Sequence, residues 1–265
     1  MAIKVNWRDV TPYIGHETAI VWPILGPTTA GESSSYNATP LQGFSGVTRH
    51  MIQPGKAGDY HVHFDREQVY YFTEGSGKMN IDEVIYPVRK GDAVCVPPTS
   101  YHHMINDTDE WLVHLIINGK HVPEEQQEEN KKIIAASNAH GSKQPIAHRH
   151  WLDSMPHVSH GAALLWSVFA GKGTPGRSYT EAPVEGVQKI TIHRLQPRLQ
   201  TGTHSHSDKE QVYVFTEGTG KMIVGDETLD VEEGDFVYGP PRVPHGLIND
   251  SDGWLEHLII SAAVE

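Results

Sequence analysis

Histidines stand two residues apart at His61 and His63, and again at His204 and His206. On an extended strand, residues two apart share a face, so each pair presents two imidazoles side by side. Each pair precedes an acidic turn residue, Asp65 or Asp208, and a strand starting at Gln68 or Gln211. Further on come a Gly-Asp turn, a Pro-Pro pair and a third histidine, His102 or His245. Three imidazoles and one amide oxygen make a donor set for a divalent first-row transition metal, up to two ions per chain. Zinc, iron, manganese, nickel and cobalt all accept such donors, so residue type does not choose among them. The four donors are neutral, which leaves the metal's double charge uncompensated. A centre of this kind attracts anionic or enolisable oxygen ligands and acts as a Lewis acid.

Strands have to position these donors. Segments such as QVYYF, AVCVP and WLVHLII are rich in Val, Ile, Tyr and Phe and are separated by Gly, Pro, Asn and Asp. Turn signals recur about every 8–12 residues, which favours an all-β sandwich or barrel over a βαβ fold. The arrangement occurs twice. Residues 61–117 align without a gap on 204–260, and more than half of the positions are identical. Upstream, Trp7, His16 and Trp22 match Trp151, His160 and Trp166. The expected organisation is one unit over 1–122, a linker with a short helix over 123–144, and a second unit over 145–265. Glu128 and Lys132, four apart, support that helix. It reads as a solvated connector.

The chain has 265 residues, 18 of them His, and 21 Lys and Arg against 33 Asp and Glu, a net charge of −12. That balance argues against nucleic acid and against anionic membrane surfaces as partners. The one cysteine, Cys95, excludes an intramolecular disulfide and reads as a buried thiol. The first residues contain no apolar signal segment, and no apolar run is long enough to span a bilayer. A cytoplasmic protein acting on a small molecule is expected, with a homodimer as a fair guess.

These residues resemble the cupin superfamily, and the duplication resembles a bicupin. The family's first motif is Gly, five residues, His-x-His, three or four residues, Glu, six residues, Gly. Its second is Gly, five residues, Pro-x-Gly, two residues, His, three residues, Asn. Gly91, Pro97, His102 and Asn106 fit the second motif, as do Gly234, Pro240, His245 and Asn249, with Thr99 and Arg242 in place of its small residue. The resemblance implies two tandem double-stranded β-helix barrels of jelly-roll type. Counting back from Gly75 or Gly218 places Gln68 or Gln211 where the family usually has Glu; Glu67 and Glu210 lie one position earlier. Strand parity decides between them, because a slip of one residue turns a side chain to the other face. The spacing favours glutamine. The same substitution looks similar to uronate-opening cupins and to the bicupin isomerase of bacilysin biosynthesis.

In the uronate-opening type, the position of His114 and His257 is similar to that of a catalytic acid/base. A packed strand histidine is the competing reading. Tyr70 and Tyr213 share the glutamine's inward face and either donate to a substrate oxygen or fill the barrel. Phe72, Phe215, Trp111 and Trp254 read as core. His50, His193 and Arg242 are candidates for binding substrate, Arg242 as a carboxylate clamp. His103 against Gly246, and Tyr101 against Pro244, indicate two chemically different pockets. The leading expectation is a redox-neutral isomerase, tautomerase or lyase acting on a sugar acid or oxo acid through a metal-stabilised enediolate. A mononuclear Fe(II) dioxygenase is the alternative, and a non-catalytic metal-dependent binding protein is the third class.

Overall fold

A computed structural model describes residues 2–27, 37–141, 143–170 and 186–264. In the first half, an antiparallel sheet runs in the order Ala147–His150, Asp92–Val96, Gln68–Glu74, Leu112–Gly119, Phe44–Ile52, Ala19–Pro27, Tyr13–Gly15. A four-stranded sheet of Lys56–Ala57, His102–Asn106, Ser76–Ile81 and Val84–Arg89 accompanies it. The second half repeats this with seven-stranded and three-stranded sheets. Each half is a β-barrel, as two tandem jelly rolls require.

Alternation along the strands builds three cores. Tyr70 and Phe72 join Met79, Ile81 and Met104 inside the first barrel. Tyr213 and Phe215 join Met222, Val224 and Leu247 inside the second. The intervening residues, Val69 and Tyr71 with Val212 and Val214, face the other way. They meet in one core shared by both halves. Trp111 departs from its core expectation: it lies just before the strand Leu112–Gly119 and is 39% exposed.

The two halves also exchange strands. Ile3–Asn6 pairs with Asp235–Gly239 of the second barrel, and Ala147–His150 pairs with Asp92–Val96 of the first. The aspartate of each Gly-Asp turn anchors the visitor. Asp235 accepts from Asn6 Nδ2 at 2.9 Å and pairs with Lys4 Nζ at 3.1 Å, and Asp92 lies 3.3 Å from His148 Nε2. The glycine before it is constrained twice. Gly91 and Gly234 have φ of 92° and 94°, and a Cβ on Gly91 would sit 2.6 Å from Trp151 Cδ1. A side chain there would both strain the backbone and evict the incoming indole.

The connector helix spans Glu124–Ala136. It differs from the expectation in two ways. Its ion pairs are Glu128–Lys131 and Glu129–Lys132, three apart, instead of Glu128–Lys132. It is also docked, since buried Asn130 donates to Phe64 O at 2.7 Å. No helix among the described residues is long and apolar enough to cross a membrane.

Candidate metal centres

In the first barrel, the ligand atoms of His61, His63 and His102 lie within 4.8 Å of one another. Their orientation follows from their other nitrogens. His61 Nδ1 contacts Asp59 O at 3.1 Å, and His102 Nδ1 contacts Ser100 O at 2.9 Å. A carbonyl only accepts, so both Nδ1 atoms carry the proton. Burial holds His102 well below its ordinary pKa, and His63 is pushed down to about 3. Neutral rings therefore turn lone pairs on Nε2 toward one point. Buried His61 Nε2 and His63 Nε2 have no protein partner.

Gln68 completes this set. Its Oε1 accepts from Tyr70 Oη at 3.0 Å, and its amide donates to Asn118 Oδ1 at 2.9 Å, which fixes the oxygen inward. Oε1 then lies 3.0 Å from the lone pair of His102 Nε2. Two acceptors facing each other at this distance call for a cation. About 3.0 Å is also the edge between neighbouring ligands of an octahedron with bonds of about 2.1 Å. The residues fit a divalent metal.

The second barrel repeats the set with His204, His206 and His245, again within 4.8 Å. His245 Nδ1 donates to Val243 O at 3.0 Å, and its buried Nε2 has no partner. Tyr213 Oη donates to Gln211 Oε1 at 2.9 Å, while the Gln211 amide reaches Ser261 Oγ at 3.3 Å. Burial lowers His204 and His206 to about 4. Tyr70 and Tyr213 thus orient the glutamines, besides filling the barrels.

The neighbouring carboxylates face away. Glu67 Oε1 accepts from the backbone of Gly186 and Val187, both at 2.9 Å. Glu210 accepts from the backbone of Gln42, Gly43 and Phe44. Each glutamate thus holds the start of a strand in the opposite half. The motif asparagines are likewise structural: Asn106 Nδ2 donates to Ile52 O and Glu110 O, and Asn249 Nδ2 donates to Leu195 O and Gly253 O.

His114 and His257 point inward as their even spacing requires, but they lie deep. His257 is fully buried, neither of its nitrogens has a partner, and its ring packs on Phe215 and Tyr213. Its cross-strand neighbour His193, 5.3 Å away between ring centres, lines the second barrel's cavity where His257 does not. Burial lowers His114 and His257 to about 3, so both rings are neutral near neutral pH. In the second barrel the cavity wall carries His193 and not the acid/base candidate His257, whereas in the first barrel His114 does line the small space. His50 sits opposite His114 and meets Thr48 Oγ1 at 3.0 Å. Arg242 is exposed in a left-handed turn, φ 65°, and does not line the cavity; Lys189 and Lys209 do.

Besides Lys189 and Lys209, two histidines were missed as site candidates. His16 stacks on His61, and His160 stacks on His204, each with ring centres 4.6 Å apart. The repeat pairs them, yet neither stands near a ligand in sequence.

The buried histidines have a consequence for acid stability. An unfolded imidazole titrates near 6.5. Folded His257 titrates near 3, so between these values the unfolded chain binds the extra proton. Stability is full above about 6.5 and falls as the pH drops through that window, by about 2 kcal/mol per such histidine at pH 5. Urea denaturation of the His257→Phe variant at pH 7 and pH 5 should show a pH loss smaller than wild type by about that amount. An unchanged loss would show that His257 is not buried neutral.

The two sets differ in access. The second opens onto a cavity of about 430 Å³ whose wall includes His160, Lys189, His193, Lys209 and Tyr213. Beside the first is a space of about 20 Å³.

Comparison with known proteins accords with this architecture. A family profile described as Cupin domain matches residues 48–118 and again 191–261. An uncharacterized protein of Methanocaldococcus jannaschii is 27% identical over 108 residues, 39% of this chain and 75% of that protein. Vicilin from Corylus avellana superposes with a TM-score of 0.70 at 15% identity, over 98% of this chain and 85% of that one. The formate complex of Lactobacillus farciminis oxalate decarboxylase gives 0.70 at 15% identity, over 98% and 86%. At such identities the structures show a common fold alone. Two profile matches, each spanning the third histidine and the glutamine of one barrel, show that this chain belongs to the cupin domain family and is a bicupin.

Proposed function

We propose that this bicupin is a divalent-metal-dependent enzyme whose second barrel performs redox-neutral chemistry on a small, carboxylated, oxygen-rich substrate. A sugar acid or oxo acid is the intended class, and isomerisation, tautomerisation or elimination the reaction. One observation carries the reading: a neutral three-histidine, one-glutamine set shares a cavity with two lysines. His204, His206, His245 and Gln211 would hold the metal, which when bound supplies a Lewis acid for carbonyl and hydroxyl oxygens. Lys189 and Lys209 attract the carboxylate and set the substrate's direction in the cavity. Tyr213 keeps Gln211 Oε1 turned inward. The imidazole of His160, on the wall and stacked on His204, is placed to take a proton from bound substrate. Leu165, Met222 and Ile259 supply apolar wall that limits water. A structural neighbour, an oxalate decarboxylase seen with formate, handles small carboxylates on the same fold.

The test is proton NMR in D₂O with protein purified without chelators, over a panel of sugar acids and oxo acids. Loss of the C–H signal beside the carbonyl without oxygen consumption is expected. Oxygen uptake stoichiometric with substrate would replace this reading with the dioxygenase. With a working substrate, Lys209→Met should raise KM about ten-fold and leave kcat nearly unchanged, since a lost carboxylate contact of about 1.4 kcal/mol is uniform binding. His160→Gln should lower kcat instead. A Lys209→Met enzyme with unaltered KM would remove the carboxylate-binding role.

A further inference from the structure

We propose that the two metal centres are divided in labour: the first is a closed, structural site that releases metal slowly, and only the second exchanges metal and admits substrate. This rests on the preceding reading that both histidine sets hold a metal. A space of about 20 Å³ admits no more than a water or two, whereas small-molecule sites run to several hundred Å³. The second cavity, at about 430 Å³, is in that range. Sealing of the ligand atoms agrees. His61 Nε2 and His63 Nε2 are both shut off from solvent in the first barrel, whereas His204 and His206 line the second barrel's cavity.

Named side chains do the closing. Asp59, His103 and Met104 line the small space, and the repeat places Gly202, Gly246 and Leu247 at the matching positions. His103 Nδ1 donates to Gly58 O at 3.1 Å. His16 Nδ1 meets Asp59 Oδ1 at 2.8 Å, so the imidazole stacked on His61 is pinned by a carboxylate. The Tyr60 ring lies 5.4 Å from that of Tyr101 and 5.2 Å from that of His103. Thr203 and Pro244 replace these two tyrosines in the second copy.

The second barrel cannot build the same plug. A Cβ on Gly246 would lie 2.5 Å from Gly202 O, and Gly202 itself has φ +69°. A histidine at 246 would collide with the backbone, and a side chain at 202 would be strained. Openness there is set by the main chain, and closure in the first barrel by substitutable side chains.

The experiment follows release of cobalt(II) from the fully loaded full-length chain to excess dipicolinate, by visible absorption. Two equivalents should leave at rates differing by at least about a hundred-fold. In His206→Ala the fast equivalent should disappear and the slow one remain. In the Asp59→Gly/His103→Gly double variant, which copies the second barrel's residues into the first, the slow equivalent should accelerate at least about ten-fold. Oxalate added to the wild type should perturb the spectrum of the fast equivalent alone. A single common rate, loss of the slow equivalent in His206→Ala, or an unaccelerated double variant with normal cobalt content would each overturn the division. Common release alongside substrate deuteration would overturn the division and leave the enzymatic proposal standing. Failure to bind cobalt at either set would remove both.

Discussion

Changing Gln211 to glutamate is expected to slow metal release from the second barrel and to cut kcat/KM on a carboxylate substrate by about a thousand-fold. The change is nearly isosteric, and the surroundings accept it. Tyr213 Oη, 2.9 Å from Oε1, donates to a carboxylate as readily as to an amide. Ser261 Oγ takes the amide proton at 3.3 Å and can rotate to donate instead. No buried group is orphaned, so the fold should hold and the effect should be electrostatic. One added negative charge halves the net charge of a loaded centre. At about 4 Å and an effective dielectric of about 20, that is worth about 4 kcal/mol, or nearly three decades in rate. It draws the metal in and repels an anionic substrate. Gln68→Glu in the first barrel is the matched control. Asn118 must first flip its amide there, and turnover should stay within about two-fold of wild type if the second barrel alone takes substrate. Steady-state kinetics with cobalt release on both variants checks the pair. A Gln211→Glu enzyme of undiminished kcat/KM would show that the neutrality of the donor set does not serve the chemistry.

Much of this site was legible because strand parity is a two-valued rule. Gln68 with Tyr70 and Phe72 are read correctly as inward once the strand Gln68–Glu74 is recognised, whereas His61 and His63 lie outside any strand, in irregular chain tied down by the isolated bridge between His61 and His102. The same rule sends Glu67, Val69 and Tyr71 to the core between the barrels. Parity says nothing about depth along the barrel axis. His193 and His257 are cross-strand neighbours with the same inward sense, yet only His193 reaches the cavity wall. Long-range pairing was equally hidden. Ile3–Asn6 is an ordinary short strand, and its partner Asp235–Gly239 lies more than two hundred residues away. No local signal tells a strand which of two similar sheets it will join. The contrast of His103 with Gly246 was visible as a difference. Its meaning depends on Asp59, Tyr60 and the backbone at Gly202, which only the folded chain brings together.

Glu210→Ala is expected to destabilise the chain by about 4 kcal/mol. The carboxylate is completely buried. It accepts from the backbone of Gln42 at 3.0 Å, Gly43 at 2.7 Å and Phe44 at 3.1 Å, and Tyr238 Oη lies 2.9 Å away. Alanine leaves several donors buried without a partner, at about 1–3 kcal/mol each before relaxation. No rearrangement can readily bring another acceptor in, because Gly43 is packed so tightly that a Cβ there would lie 2.5 Å from Ala263 O. The donors start the strand Phe44–Ile52 of one barrel, while Glu210 belongs to a strand of the other. The loss is therefore one of adhesion between halves as well as of a buried hydrogen-bond set. Glu67 makes the reciprocal contact to Gly186 and Val187. Where Tyr238 serves Glu210, the matching residue near Glu67 is Cys95, a buried thiol and a weak donor. Glu67→Ala should accordingly cost less, about 2 kcal/mol, and Glu210→Gln, which keeps one acceptor oxygen, about the same. Urea denaturation followed by tryptophan fluorescence and by far-UV circular dichroism checks the order. If the two probes separate in Glu210→Ala and coincide in wild type, the carboxylate couples the barrels into one cooperative unit. A Glu210→Ala chain within about 1 kcal/mol of wild type would mean that the inter-barrel core alone holds the halves together.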